Sequence, residues 1–264
     1  MVRLHYFFDP LCGWCHGAAP LIHALSARLP IVLHAGGLME ATRITPGLRQ
    51  HILSHDSKIA KLTGQPFGDD YTQGLLQCPD AVLDSGPAIA AILLAEKAVG
   101  HGLALLEILQ RGHYVQGLRL AEPEVLLQLL MALRSLQALG REKLASDLTA
   151  VMEANSVGQI SPLASHIAQS RAMMAKLGLA GFPSLVLESD IGEWHPVPLN
   201  RFYGQTEAML GWFDSSFAKQ LSGIDAKRDN PKAAPSAPAA AIKLSARIRE
   251  GLKALKEAAI LLLA

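Results

Sequence analysis

Two hydrophobic periods alternate along the chain, and their order gives the architecture. An apolar run from Val2 to Phe8 ends at Asp9-Pro10, which predicts a buried strand and a turn. Leu21, Ile22, Leu25 and Leu29 then recur at helical spacing, so a helix follows whose first turn carries Cys12 and Cys15. Ile31 to Leu38, closed by Gly36-Gly37, predicts a second strand beside the first. Thr45-Pro46 starts a helix continued by Leu48, Ile52 and Ile59, with proline at an early helical position. Thr63 to Gln77 is rich in Gly, Pro, Asp and Gln and predicts loop with short helix.

From Ser85-Gly86-Pro87 to Lys176 the helical period holds almost throughout. It predicts helices around Ile89 to Val99, Leu103 to Val115, Pro123 to Leu136, Lys143 to Ala154 and Ser161-Pro162 to Leu177. Gly100, Gly117 and Gly140 lie in the turns. The pattern then returns to strands at Leu185-Val186-Leu187 and Trp194 to Leu199, and a helix spans Glu207 to Leu221. The expected fold is α/β: strand–helix–strand in residues 1–84, a helical block in 85–178, and strand–strand–helix in 179–222. Residues 223–241, with their Ala/Pro/Ser run, read as linker. Residues 242–264 read as an amphipathic helix with Leu244, Ile248, Leu252, Leu255, Ala259 and Leu262 on one face. Charge interrupts that helix too often for a membrane span. Docking on its own domain or on a sister chain as a homo-oligomer is the simplest use, and membrane-surface contact is the alternative.

Composition narrows the partners. The 264 residues carry a formal net charge of +1, which gives no electrostatic reason to expect nucleic acid. No basic and apolar leader precedes the first strand, so the expectation is a cytoplasmic protein. Three cysteines are too few for a secreted disulfide scaffold, and in a reducing compartment a closely spaced pair is more often catalytic than structural. Cys12 and Cys15 stand at the start of a helix, where unpaired N–H groups and the dipole favour a thiolate. The two-residue spacer lets the second sulfur resolve a mixed disulfide. Cys12, Cys15 and His16 also spell the CxxCH of haem attachment, but no segment calls for a haem pocket. Zinc needs further ligands at finger-like spacing, and His51 and His55 fit a solvated helix face more simply, so no metal is expected.

The ordered combination of Cys12-Gly13-Trp14-Cys15 after a first strand, a helical insertion and Gly181-Phe182-Pro183 before a later strand resembles the DsbA-like branch of the thioredoxin superfamily. The resemblance covers residues 2 to about 221. It implies a thioredoxin fold with a helical insertion and thiol–disulfide oxidoreductase activity without metal or organic cofactor. Disulfide- or thiol-containing proteins would be the partners, with glutathione as a candidate redox partner. It implies that Cys12 attacks, that Cys15 resolves, and that Gly13 and Trp14 tune the couple. Pro183 would be a cis-proline that packs over the disulfide and offers backbone to an extended substrate, with Phe182 narrowing that groove. A Gly-Trp spacer replaces the Pro-His of periplasmic DsbA oxidases and, with His16, is similar to DsbC-type isomerases. Asp9-Pro10 and the absent leader look more like cytoplasmic FrnE-type proteins, although this tail lacks their further cysteine pair.

Some residues keep two readings. Asp9 could shuttle the proton of the buried sulfur, but capping the turn is the simpler role. His16 could stand near the thiolate or lie on the surface of the first helical turn. Trp14 should be partly exposed. Cys78 reads as a small buried hydrophobe, with a regulatory thiol as the alternative. The rival functions are a glutathione-dependent transferase or isomerase of the kappa type, which usually has Ser in place of Cys12, and a non-catalytic redox sensor.

Overall fold

A computed structural model describes residues 1–153, 159–218 and 220–221 of the chain. Within it β1 (Arg3–Phe8) is the centre of the fold. Every residue of β1 after Arg3 is buried, because layers cover both faces of the sheet. The four strands run in the order β2-β1-β5-β6, with β2 at Ile31–Ala35, β5 at Ser184–Glu188 and β6 at Trp194–Val197. β1 and β2 are parallel, with Leu4 opposite Ile31 and Phe8 opposite Ala35. Such a pair needs a crossover, and helix α1 (Gly13–Ser26) supplies it. β5 runs antiparallel to β1, and β6 antiparallel to β5.

Two short strands in separate pairing, β3 (Thr42–Arg43) and β4 (Val82–Leu83), bracket α2 (Pro46–Thr63). The sequence pattern did not indicate them, since two residues show no period. The Thr45 hydroxyl caps α2 by accepting from Leu48 N at 3.2 Å. Between α2 and β4 the expected loop contains a π-helical turn at Asp70–Gly74 and a 3₁₀ turn at Leu75–Gln77.

The helical block comprises α3 (Ser85–Val99), α4 (Gly102–Tyr114), α5 (Pro123–Ala132), α6 (Arg141–Met152) and α7 (Pro162–Lys176). Helix α3 is its hub, buried from Pro87 to Ile92 and packed on each of the other four. Its alanines let the neighbours approach closely. The expected helix to Leu136 instead stops at Ala132, because Leu133 turns to an extended conformation and a 3₁₀ segment, Arg134–Leu139, follows. Helix α7 returns to lie on β2, and α1 packs on α2, α4 and the last helix, α8 (Thr206–Ser216). The final helix is interrupted at Phe217, which leaves the helical region, and helical backbone resumes at Ala218, Gln220 and Leu221 among the described residues. β6 likewise ends at Val197 because Pro196 and Pro198 cannot donate to a ladder; Pro196 is tolerated on an edge strand.

Residues Met1–Gly223 form one compact unit. The linker expected at 223–241 and the amphipathic helix at 242–264, with the oligomer contact assigned to it, lie outside the described residues, as does Ala154. Among the described residues no helix is long and apolar enough to cross a membrane.

Candidate functional site

The turn after β1 builds the site. Asp9 is fully buried, and its carboxylate collects three donors: Leu11 N at 2.8 Å, Leu38 N at 2.6 Å and the Ser85 hydroxyl at 2.8 Å. Leu11 belongs to the turn, Leu38 follows β2, and Ser85 opens α3, so one side chain ties three elements together at the mouth of the cysteine turn. Burial raises the Asp9 carboxyl above its ordinary range, and those donors pull the other way.

Cys12 is the N-cap of α1, and its carbonyl accepts from Cys15 N and His16 N. Its sulfur therefore stands at the positive end of the helix. It also lies 3.7 Å from the carbonyl of Phe182. The Phe182–Pro183 peptide bond is cis. Pro183 directly precedes β5, outside the ladder, so its missing N–H leaves no sheet bond unmade. Both cysteines are buried, Cys12 keeping 7% of its surface exposed and Cys15 none. Burial pushes the Cys15 thiol well above the usual cysteine range, and the neighbouring Cys12 sulfur adds to the rise.

The spacer glycine answers to packing as well as to chemistry. A Cβ on Gly13 would meet Asp56 Oδ1 at 2.7 Å and Ile59 Cδ1 at 3.1 Å, so α2 approaches α1 only because the position is bare. Asp56 is a buried carboxylate beside the cysteine turn that the sequence did not single out. It accepts from the Tyr71 hydroxyl at 2.9 Å, and burial raises it to about 6. Trp14 is half-buried, its ring 5.2 Å from that of Tyr203. Gly36 plays the matching part on the other side. A Cβ there would fall 1.9 Å from Phe182 Cζ, so the end of β2 must be glycine for the Phe182 ring to lie where it does.

His16 is not a surface residue. It is buried, stacked 4.7 Å from Tyr114, and held through Nε2 to the Pro66 carbonyl at 3.1 Å. The helix face that carries it is covered by α4 and by the loop after α2, neither of which the local pattern reveals. Cys78 is half-buried rather than enclosed, and its sulfur accepts from Arg119 Nη2 at 2.8 Å. His51 and His55 lie side by side along α2, their rings tilted by 38° and 4.2 Å apart.

Burial lowers His113 and His34 to about 4 each, and lowers His5, His16 and His166 as well. A histidine held below its ordinary value of 6.5 binds fewer protons folded than unfolded. Its stability is therefore complete above about pH 6.5 and is lost as pH falls toward 4. By pH 5 the loss is about 2 kcal/mol for each of His113 and His34, while Asp56, raised rather than lowered, returns about 1 kcal/mol. The melting temperature is expected to be several degrees lower at pH 5 than at pH 7. Equal melting at the two values would mean that these histidines carry their protons inside the fold.

A groove of about 440 Å³ opens over Cys12, lined by Leu38, Arg171, Met174, Leu179 and Phe182 among others. Of the two active-turn sulfurs, Cys12 faces this groove and Cys15 lies sealed behind it.

No family model matches the chain, and no curated protein does. Solved structures do. Cytosolic disulfide reductase DsbM from Pseudomonas aeruginosa is 42% identical over 82% of this chain and 98% of its own, with a TM-score of 0.71. A structure of the same reductase with GSH aligns at 40% identity over 82% and 99% of the two chains, with a TM-score of 0.70. A Nitrosomonas europaea protein described as a disulfide isomerase shares the fold at 24% identity, covering 83% of this chain and 98% of its own, with a TM-score of 0.63. A likeness at this level to a disulfide reductase along nearly its whole length accounts for the inserted helical block as well as the sheet. The chain belongs to the DsbA-like branch of the thioredoxin superfamily and is a thiol–disulfide oxidoreductase.

Proposed function

We propose that the protein is a cytoplasmic dithiol reductase in which Cys12 attacks, Cys15 resolves, and glutathione is the small-thiol redox partner. The observation that carries this reading is the division of the pair. Cys12 lines an open groove at the N-terminus of α1, whereas Cys15 is wholly enclosed. A thiolate at Cys12 attacks one sulfur of a disulfide; that S–S bond breaks, and the leaving thiolate takes up a proton. Cys15 then gives up its proton and attacks Cys12 Sγ. The mixed disulfide breaks, the second thiol leaves, and the protein holds a Cys12–Cys15 disulfide. Two glutathione thiols reverse that oxidation and become glutathione disulfide. The Phe182 carbonyl and Pro183 stand where a substrate backbone would pair beside the sulfur. The cytosolic reductase DsbM and its structure with GSH support the compartment, the direction and the thiol.

The test is a redox equilibrium of the whole protein against glutathione buffers, read by Trp14 fluorescence and by mass. The expected result is one sharp two-electron transition, with a midpoint between about −270 mV and about −120 mV. No disulfide at any ratio, or a glutathione adduct that Cys15 never displaces, would overturn the dithiol mechanism.

A further inference from the structure

The groove over Cys12 is walled mainly by apolar side chains, and among the described residues that line it there is one formal charge, on Arg171. That charge is fixed in place without being neutralised. Arg171 Nε donates to the Gly36 carbonyl at 2.7 Å, and Nη2 donates to the Gly37 carbonyl. Both acceptors are neutral. Glu40 approaches Nη2 only to 3.8 Å, and its side chain is 83% exposed, so the pair is screened by water and worth little. The guanidinium is thus held by one edge, with its Nη1 donors unused by the described residues. Beside it, Leu38 is 48% exposed at the groove rim, and Met174 and Phe182 belong to the wall. The Arg171 side chain is itself 53% exposed, so an incoming anion can reach it from solvent, and the apolar wall orients that anion rather than strengthening the attraction. A planar fork matches a carboxylate in particular.

We propose that Arg171 is a specificity residue that binds the carboxylate of a substrate whose sulfur meets Cys12, so that the groove selects anionic peptide thiols and disulfides over neutral ones. This rests on the thiol–disulfide reading above and names the substrate class for it. The charge stands on α7, inside the helical block, while the nucleophile stands on α1. The insertion therefore contributes to the recognition.

The experiment compares two disulfides as oxidants of the reduced full-length protein: glutathione disulfide, which is anionic, and hydroxyethyl disulfide, which is neutral. Followed as single-turnover oxidation, Arg171→Gln is expected to lose tenfold or more of its second-order rate constant for glutathione disulfide, and that loss to exceed the loss on hydroxyethyl disulfide at least tenfold. Arg171→Lys, which keeps the charge but not the fork, should fall between. A variant that fails to fold does not end the test. In the wild type, esterifying the carboxylates of glutathione disulfide should lower the rate constant by a similar factor, and added salt should lower it for the anionic disulfide only. Equal losses on both disulfides, or an ester that reacts as well as the acid, would overturn the role of Arg171 while leaving the dithiol mechanism standing. A wild-type protein that reacts with neither disulfide would overturn both.

Discussion

Cys15→Ser is expected to take up one glutathione from glutathione disulfide and stop there. The variant should carry a stable Cys12 adduct, visible by mass, and its turnover should fall by roughly three orders of magnitude or more, as when one member of a catalytic unit is removed. Cys12→Ser should form no adduct at all. The asymmetry follows from burial. Cys15 has no exposed surface, so it meets only a sulfur already bonded to Cys12. Its thiol is also held well above the usual range by that burial, so it is a poor nucleophile until the mixed disulfide stands beside it. The pair of variants separates the two enzymatic readings of the sequence. If Cys15→Ser turns over like the wild type, one thiol suffices and the chemistry is that of a single-thiol glutathione enzyme.

The parts of the site that are local in the chain were legible in the sequence. A strand that stops at Asp9-Pro10, cysteines two apart at a helix start, and a Gly-Phe-Pro before a strand each leave a signature within a few residues. The structure joins them at one place, with Cys12 Sγ against the Phe182 carbonyl. What was not legible is what arrives from elsewhere. Asp56 is an ordinary polar position of α2 until that helix presses on Gly13. Arg171 reads as a solvated charge on α7 until α7 lies on β2 and the carbonyls of Gly36 and Gly37 receive it. His16 looked exposed because its cover, Pro66 and Tyr114, is distant in sequence. Gly36-Gly37 reads as a strand end, which it is. Its second reason, room for the Phe182 ring, needs a partner almost 150 residues away. β3 and β4 leave no trace in the sequence, because two paired residues have no period.

Asp9→Ala is expected to destabilise the fold by about 3 kcal/mol or more, and Asp9→Asn by about 1–2 kcal/mol, measured by denaturant titration. Alanine would leave Leu11 N–H, Leu38 N–H and the Ser85 hydroxyl without the acceptor they now share in a buried place. Each orphaned donor costs about 1–3 kcal/mol. Asparagine keeps one oxygen, which can serve Leu11 N and Ser85 Oγ as Asp9 Oδ1 does now. Its NH₂ then faces the Leu38 N–H, and two donors oppose each other. This asks what the carboxylate is for. Both its oxygens are already engaged, and Ser85 is bound in turn to Met39 through both its N–H and its hydroxyl, so Asp9 fixes the walls of the turn. The expectation is that folded Asp9→Asn protein resolves its mixed disulfide within a few-fold of the wild-type rate. Suppose instead that the variant melts normally and attacks at the normal rate, yet accumulates the Cys12 adduct. The carboxylate would then be handling the Cys15 proton, and its hydrogen bonds would be secondary to that work.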